Sequence, residues 1–200
     1  MTINLKKGQT INLRKEQNDL SSVTIALGWD VAETGGEDYD LDAIAFLLNA
    51  AGKVADTGDN HLVGGDIIYY HSLRHPSGNI YHTGDNLTGE GEEGEDDEEI
   101  IVKLNQMDPK YDKILFLVSI YKGLRKKQHF GKVDNAFIRA VDARGVEMFR
   151  YDLSSEPAFD GKCSMIFGEL YRQEGGWQFR AIGTAFETDR FDEILNKNYI

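Results

Sequence analysis

The sequence contains few residues that cross-link or interrupt a chain. Its 200 residues include one cysteine, Cys163, and three prolines. A single cysteine cannot form an intrachain disulfide, which is typical of proteins from reducing compartments. The residues after it, Ser164-Met165-Ile166-Phe167, indicate a core strand rather than a reactive thiol. No apolar run approaches the roughly 18 residues of a membrane-spanning helix, and no signal-peptide core is present. These absences predict a cytoplasmic protein.

Several catalytic and binding motifs are also absent. The chain has no P-loop, no dinucleotide-binding glycine fingerprint and no nucleophile elbow. An EF-hand counted from Asp85 fails, because Leu87 occupies its third position and Glu90 the place of its glycine. No Pro/Ser-rich linker divides the chain, and 40% apolar residues suffice for one core, so we expect a single domain over residues 1–200.

Negative charge is abundant and localised. The net charge is -12, and it becomes -4 without the eight carboxylates between Glu90 and Glu99. The acidity therefore belongs to a site rather than to the whole surface. It argues against nonspecific binding to nucleic acid or to an anionic membrane, which needs clustered Lys and Arg.

The acidic segment, from Gly84 to Glu99, reads G-D-N-L-T-G-E-G-E-E-G-E-D-D-E-E and contains nine carboxylates and four glycines. Such charges repel one another unless they are solvated, protonated or neutralised by cations. Apolar alternating stretches flank the segment, so we expect both of its ends to be anchored. Glycines allow carbonyl oxygens to turn inward, and calcium binds six to eight oxygens in flexible geometry. A solvated acidic loop is the simpler alternative.

A second acidic stretch leads into an apolar strand. If that strand begins near Tyr39, Asp40 and Asp42 project from one face and Leu41 from the other. Asp30 follows another apolar strand and is either a ligand or an ordinary turn residue. We hypothesise that the Asp40/Asp42 strand start meets the acidic segment around calcium. Asp59 and Asp66 are weaker ligand candidates.

The fold class predicted from the pattern is all-β, mainly an antiparallel β-sandwich, with a short C-terminal helix. An echo within residues 2–16 predicts an N-terminal hairpin, and two further hairpins are expected around residues 142–145 and 174–176. Strands are predicted at residues 23–29, 41–49, 66–70, 100–104 and 113–121, the second of them buried on both faces. The helix is expected over residues 188–198, with Thr188 as its cap.

Other functions have some support in the sequence. Paired carboxylates suit a metal-dependent hydrolase, although no partner residue is placed beside them in a recognisable role. A calcium-dependent lectin-like or lipid-binding β-sandwich would need exposed aromatic or basic residues around the ion. The histidines at 71, 75 and 82 could bind zinc, but surface or strand positions are the simpler interpretation. The basic residues at 125–127 could bind phosphate or an acidic partner, or could be a solvated loop.

The sequence resembles the TerD family of bacterial tellurium-resistance and calcium-binding stress proteins. The resemblance spans nearly the whole chain and rests on a combination of motifs: A-L-G-W-D at residues 26–30, Y-D-L-D-A at 39–43, G-D-N-L-T-G-E-G at 84–91, N-A-F-I-R at 135–139, F-R-Y-D-L at 149–153 and F-G-E-L-Y-R at 167–172.

The resemblance implies a non-catalytic β-sandwich that binds two calcium ions at one end. The ligands it implies are the carboxylates and amide of Asp40, Asp42, Asp85, Asn86, Asp96, Asp97 and Glu98, with carbonyls of Gly89 and Gly91. Where the family tends to read G-E-G-D-G-D-D-E, this chain has G-E-G-E-E-G-E-D-D-E. The extra glutamates leave open which of Glu90, Glu92, Glu93 and Glu95 ligate.

The resemblance also implies partners and a location. They are other tellurium-resistance or stress proteins, one of them membrane-embedded, met at the inner face of the membrane. We expect no nucleic acid binding and no direct membrane insertion. Calcium is expected to neutralise the acidic segment and to order a partner-binding surface.

Overall fold

The computed structural model describes residues 2–13, 17–30, 39–84, 96–152 and 157–200, with backbone alone at residues 30, 134, 135 and 157. These ranges form two six-stranded sheets. The strands are β1 (Ile3–Asn4), β2 (Thr10–Leu13), β3 (Val23–Asp30), β4 (Leu41–Leu48), β5 (Ile67–Ile68), β6 (Ile80–His82), β7 (Glu98–Val102), β8 (Lys113–Ile120), β9 (Asp134–Val141), β10 (Glu147–Asp152), β11 (Ser164–Gln173) and β12 (Gly176–Phe186).

The first sheet has the order β1-β10-β9-β3-β7-β6 and the second the order β2-β12-β11-β8-β4-β5. The pairings are antiparallel except for β1 beside β10. Two short helices, α1 (Gly123–Lys126) and α2 (Phe191–Asn198), complete the described fold with three 3-10 turns. The all-β sandwich with a short C-terminal helix is thus confirmed.

Strand β4 shows why the second sheet has no water-facing side along its middle. All eight of its residues are buried. Leu41, Ala43, Ala45 and Leu47 pack between the sheets, whereas Ile44 and Phe46 belong to a second apolar cluster on the outer face. Helix α2 covers that outer cluster with Ile194 and Leu195. Because both faces are covered, the strand is apolar at both parities, as its sequence predicts.

The predicted N-terminal hairpin is wrong. The two echoing segments form β1 and β2, but β1 joins the first sheet beside β10 and β2 joins the second sheet beside β12. The connection therefore crosses between the sheets, and Gly8 turns in it with φ of 83°. A local repeat shows that two segments are extended, but the partner of each strand depends on distant residues.

Several boundaries also differ from the sequence prediction, and β5 covers only Ile67–Ile68 of the predicted residues 66–70. Strand β7 begins at Glu98, two residues before the predicted Ile100, so the acidic segment contributes its last residues to the sheet. Helix α2 begins at Phe191 with Arg190 as its N-cap, and no side chain caps it. Thr188 instead accepts a hydrogen bond from the Arg190 amide at 3.1 Å and donates one to Glu193 at 2.8 Å.

Candidate metal centre

One end of the sandwich brings together the described residues of the two acidic stretches and the backbone of Asp30. Strands β3, β6 and β8 end there, and β4, β7 and β9 begin there. The register shows this directly, since Asp30 pairs with Asp134, and Leu41 pairs with Ile120. The Trp29 indole N–H donates to the Tyr39 carbonyl at 3.0 Å, which links the end of β3 to the approach of β4.

Glu98 joins the acidic segment to the opposite sheet. Its side chain is completely buried, on the same face of β7 as the core residues Ile100 and Val102. Its Oε2 atom accepts the Ala43 amide hydrogen at 2.6 Å. Because Ala43 immediately follows Asp42, the closing end of the acidic segment touches the strand start that carries the predicted aspartates.

His82 completes this buried contact. Its Nε2 atom lies 3.3 Å from Glu98 Oε2, and its Nδ1 atom accepts the Gly84 amide hydrogen at 3.0 Å. A nitrogen that accepts a hydrogen bond carries no proton, so the ring N–H is assigned to Nε2, which faces Glu98. Gly84 has φ of 137°, which favours glycine at the turn into the segment. One histidine thus contacts the first and a late residue of the acidic segment.

Asp97 and Asp96 hold the same end of the segment in two other ways. Asp97 Oδ2 accepts the Trp29 amide hydrogen at 3.0 Å, and the Asp97 amide donates to the Leu27 carbonyl at 2.9 Å. Asp96 forms a two-pronged ion pair with Arg139, in which both nitrogen–oxygen distances are 2.8 Å. Planar guanidinium–carboxylate pairs of this kind fix geometry as well as charge.

The pKa values of Arg139 and Glu99 are both raised, and Asp96 contributes to each shift. Hydrogen bonding to Asp96 raises the pKa of Arg139; burial opposes this shift and Glu147, 3.0 Å away, supports it. Burial raises the pKa of Glu99, and the negative charge of Asp96 adds to that effect while Arg139 opposes it. Closely spaced carboxylates here are therefore harder to ionise together unless a cation is near.

The Asp-Leu-Asp strand start is buried. Asp40 and Asp42 are each 6% exposed, and β4 begins between them at Leu41. The Asp40 carbonyl accepts the Tyr121 amide hydrogen at 2.8 Å, and Asp42 lies opposite Ser119 of β8. Strand alternation directs Asp42 toward the outer face that carries Ile44, as the sequence predicts, whereas Glu98 reaches β4 from the inter-sheet side.

The described residues supply part of the predicted ligand set. Six positions lie at this end: Asp30, described by its backbone alone, and Asp40, Asp42, Asp96, Asp97 and Glu98. The others, Asp85, Asn86, Gly89, Gly91, Glu90, Glu92, Glu93 and Glu95, lie outside the described residues. Among the residues with described side chains, no three His, Cys, Asp or Glu side chains converge as a metal cluster. The structure thus gives the frame of the site, and the ligand set stays a prediction.

The remaining candidates have structural partners. Asp66 accepts hydrogen bonds from the Tyr111 hydroxyl and from the Asp56 amide, and His75 lies 3.3 Å from it. Burial alone would raise the pKa of Asp66, but its hydrogen bonds with His75 and Tyr111 lower it. Asp59 accepts the amide hydrogens of His61 and Val63. Neither aspartate lies at the candidate site.

The histidine prediction was incomplete. His75 and His82 are buried in separate contacts, with Asp66 and with Glu98, whereas His71 is exposed and stacks on Tyr69. His82 and Arg139 contact residues of the site, and the sequence pattern did not predict either of them. The sequence offers only weak indications of these roles. His82 precedes the acidic segment by two residues, and Arg139 belongs to the N-A-F-I-R motif.

Two further observations concern the membrane and the thiol. None of the helices in the described ranges is long and apolar enough to cross a membrane.

Cys163 is buried, and its Sγ donates to the Gln128 carbonyl at 3.2 Å. Burial, with a contribution from Asp189, raises the pKa of this thiol to about 11, which makes it a poor nucleophile.

Comparison with known proteins places the chain in a family. The TerD domain model matches residues 1–198. The chain is 55% identical to tellurium resistance protein TerX of Serratia marcescens, with 100% of both chains covered. It is 43% identical to general stress protein 16U of Bacillus subtilis (strain 168), covering 94% of this chain and 92% of that protein.

A solved structure shares the fold. It is that of a homologue of telluride resistance protein (TerD) from Streptomyces coelicolor A3(2), which superposes with a TM-score of 0.64 at 21% identity. The match covers 86% of this chain and 93% of the other. The sandwich is thus found in a second, distant sequence. By its domain match and its identity to these relatives, the chain belongs to the TerD family.

Proposed function

We propose that this chain is a non-catalytic, calcium-binding stress-response protein of the tellurium-resistance type. Calcium binds between the Asp40/Asp42 strand start and the acidic segment, residues 84–99. The bound ions, two in number, order a surface for a protein partner. The names of the relatives, TerX and general stress protein 16U, support the stress-response part of the proposal.

The contact between Glu98 and the Ala43 amide carries the proposal. It joins two acidic stretches that are 55 residues apart in the chain. The contact is buried and 2.6 Å long, so it sets where the acidic segment leaves the sandwich relative to Asp42. Asp96 and Asp97 strengthen the same end through Arg139 and Trp29. The closing end of the segment is thereby fixed beside the Asp-Leu-Asp start, and the hydrogen bond from the Gly84 amide to His82 holds the first residue of the segment near Glu98.

The chemistry of the residues fits calcium. The predicted ligands are carboxylate, amide and carbonyl oxygens, which are the donors that calcium prefers. The segment places nine carboxylates within 16 residues, so an unneutralised segment repels itself. Asp96, Asp97 and Glu98 already hold protein donors, which suits them to anchoring the segment more than to acid–base catalysis. A bound cation would act mainly by removing this repulsion and ordering the end of the sandwich.

The family resemblance supports a proposal about partners and location. We propose that the ordered end meets other tellurium-resistance or stress proteins, one of them embedded in a membrane, at its cytoplasmic face.

Removing the Asp40/Asp42 carboxylates tests the calcium site. A ligand that binds only the folded state adds about 2.7 kcal/mol at a hundredfold excess over its Kd. We expect Asp40→Asn with Asp42→Asn to lose most of that calcium-dependent gain in the free energy of unfolding. The measurement is chemical denaturation of each protein with calcium and with chelator.

A matched control removes two carboxylates from the opposite end. Asp108 and Glu174 are both exposed, the first ahead of β8 and the second in the β11–β12 turn. Asp108→Asn with Glu174→Gln should keep the full calcium-dependent gain. A full gain in the Asp40/Asp42 variant as well would refute the assignment of the site.

A further inference from the structure

A basic loop lies beside the candidate calcium site. Residues 122–133 contain five Lys or Arg residues and no Asp or Glu. The cations are Lys122, Arg125, Lys126, Lys127 and Lys132. The net charge of -12 argues against nonspecific binding of the chain to an anionic membrane, but this loop is a local exception in which Lys and Arg are clustered.

The loop and the strand start are neighbours through two contacts. The Tyr121 amide donates to the Asp40 carbonyl at 2.8 Å, so Lys122 follows immediately after a residue that contacts the Asp-Leu-Asp start. The Leu124 amide donates to Asp189 Oδ2 at 3.1 Å, and the Asp189 carbonyl accepts from Ser119, the cross-strand neighbour of Asp42. The basic loop therefore shares one end of the sandwich with the acidic segment.

The tip of the loop is apolar. Leu124 is 57% exposed, the largest exposed fraction among the exposed large apolar side chains in the described ranges. It lies on helix α1 beside the exposed Arg125, with Lys122 and Lys127 on either side. An exposed leucine beside cations offers, on a small scale, the apolar and cationic contacts by which segments bind the interface of an anionic bilayer.

Aromatic rings border the same surface. The Tyr121 ring lies 6.2 Å from the Tyr70 ring and 4.4 Å from the Lys122 ammonium. Tyr70 in turn contacts the exposed His71, with ring centroids 4.5 Å apart. Tyrosines at a membrane surface place an apolar ring at the headgroup level and leave the hydroxyl in water.

We propose that this basic–aromatic surface, formed by Tyr70, His71, Tyr121, Lys122, Leu124, Arg125 and Lys127, docks on an anionic lipid bilayer. The cations meet phosphate and carboxylate headgroups, and Leu124 enters the interface without spanning the membrane. An acidic protein would match the cations but need not cover Leu124, whereas a bilayer supplies both anionic and apolar contacts.

The docking is coupled to calcium if the proposed function holds. Without calcium, the acidic segment at the same end repels an anionic surface within a Debye length of about 10 Å. Two bound calcium ions would offset four of the nine negative charges of the segment and so weaken this repulsion of the surface that carries the basic loop. This coupling rests on the proposed function; the docking surface itself rests on the described residues of the loop.

The test is sedimentation with phosphatidylcholine vesicles containing roughly 30% phosphatidylserine, an anionic fraction that attracts basic segments. We expect binding in calcium that weakens in chelator and in high salt. Arg125→Glu with Lys127→Glu should lower the partition coefficient at least about tenfold, because each basic residue contributes to binding at an anionic surface. Leu124→Ser should lower it about fivefold through lost apolar burial.

Matched controls change the opposite end of the sandwich. Lys103 follows β7 and Lys110 precedes β8, so Lys103→Glu with Lys110→Glu makes the same charge change far from the loop. Val146→Ser removes an apolar side chain that is 46% exposed in the β9–β10 turn. Both controls should change the partition coefficient less than about twofold, since neither touches the docking surface. Circular dichroism melts confirm that every variant is folded.

Three results would overturn the docking surface: no vesicle binding, equal binding to pure phosphatidylcholine, or binding that the loop variants leave unchanged. Absent vesicle binding with capture of polyglutamate by the loop would assign the surface to an acidic protein instead.

A calcium titration of the same sample separates the two proposals. Calcium binding without vesicle binding leaves the calcium site and rejects the lipid surface. If calcium does not bind, the proposed function fails, and the loop variants are compared in chelator at low salt. Binding that the loop variants abolish would then retain the surface, and absent binding would reject it too.

Discussion

At the residue scale, Glu98 is the side chain on which the arrangement of the acidic segment depends most. It is fully buried between the sheets with the Ala43 amide at 2.6 Å and His82 at 3.3 Å. A buried carboxylate is costly unless hydrogen bonds compensate its lost hydration. Glu98 therefore stabilises the fold only while the Ala43 amide and His82 stay in place. This contact joins the two sheets to each other and to the beginning of the acidic segment.

Replacing Glu98 tests this role without calcium. We expect Glu98→Ala to lower the free energy of unfolding by about 2–3 kcal/mol, because it leaves the Ala43 amide without its acceptor and removes the carboxylate beside His82. Chemical denaturation in chelator measures the change. Glu99→Ala, one residue further and only partly buried, is the matched control and should cost less than about 1 kcal/mol. Equal losses in the two variants would contradict a specific anchoring role.

The sequence predicted acidic residues at this end but not the two side chains that contact them, His82 and Arg139. Asp40 and Asp42 stand out because two acids precede an apolar strand. His82 and Arg139 have no such signal, since a histidine at a strand end and an arginine within a strand are common. Their roles follow from the pairing of β6 with β7 and of β3 with β9, which brings distant residues together. No local pattern specifies those pairings.

At the element scale, the turn between β9 and β10 is held by one carboxylate. Asp142 accepts the amide hydrogens of Asp19, Arg144 and Val146 at 2.9, 3.0 and 3.0 Å. The Arg144 guanidinium adds hydrogen bonds at 3.0 and 2.7 Å. Burial alone would raise the pKa of Asp142, but these donors lower it from 3.8 to about 2. The turn thus favours the ionised carboxylate.

This depressed pKa predicts a dependence of stability on pH. The folded protein holds its proton less tightly than the unfolded chain, so the stabilisation is complete above pH 4 and is lost as the pH falls toward 2. We expect Asp142→Asn to be less stable than the parent at pH 6 and to lose less stability between pH 4 and 2. Urea denaturation across this range measures both effects.

Asp152→Asn serves as the control for that experiment. It removes a carboxylate at the end of β10 whose side chain is 65% exposed. Its loss between pH 4 and 2 should match that of the parent protein. If Asp142→Asn follows the parent just as closely, the turn carboxylate does not contribute through its ionisation.

The sequence predicts turns better than it predicts which strands pair. The turn at residues 142–145 was predicted because a glycine and an aspartate separate two alternating stretches, and the structure confirms it. The N-terminal echo has an equally clear pattern, yet its strands enter different sheets. The residues that form a turn are a local signal in the sequence. Whether β1 and β2 pair with each other or join different sheets depends instead on the distant strands β10 and β12, beside which they lie.

At the scale of the whole molecule, charge is separated within one end of the sandwich. The acidic segment and the basic loop both adjoin the Asp-Leu-Asp start, the first through Glu98 and the second through Tyr121. The fold class was predictable from the alternation of apolar and polar residues, and the presence of the acidic segment from composition. The juxtaposition of this segment with the basic loop was not, because it depends on β8 lying beside β4.

The central claim is that the acidic segment and the Asp40/Asp42 strand start bind calcium. The most direct measurement is calorimetric titration of chelator-stripped protein with calcium, repeated with magnesium. The account predicts calcium binding near two equivalents and little response to magnesium, because flexible oxygen ligands suit the larger ion. Absent calcium binding, or magnesium binding of equal strength and stoichiometry, would contradict it.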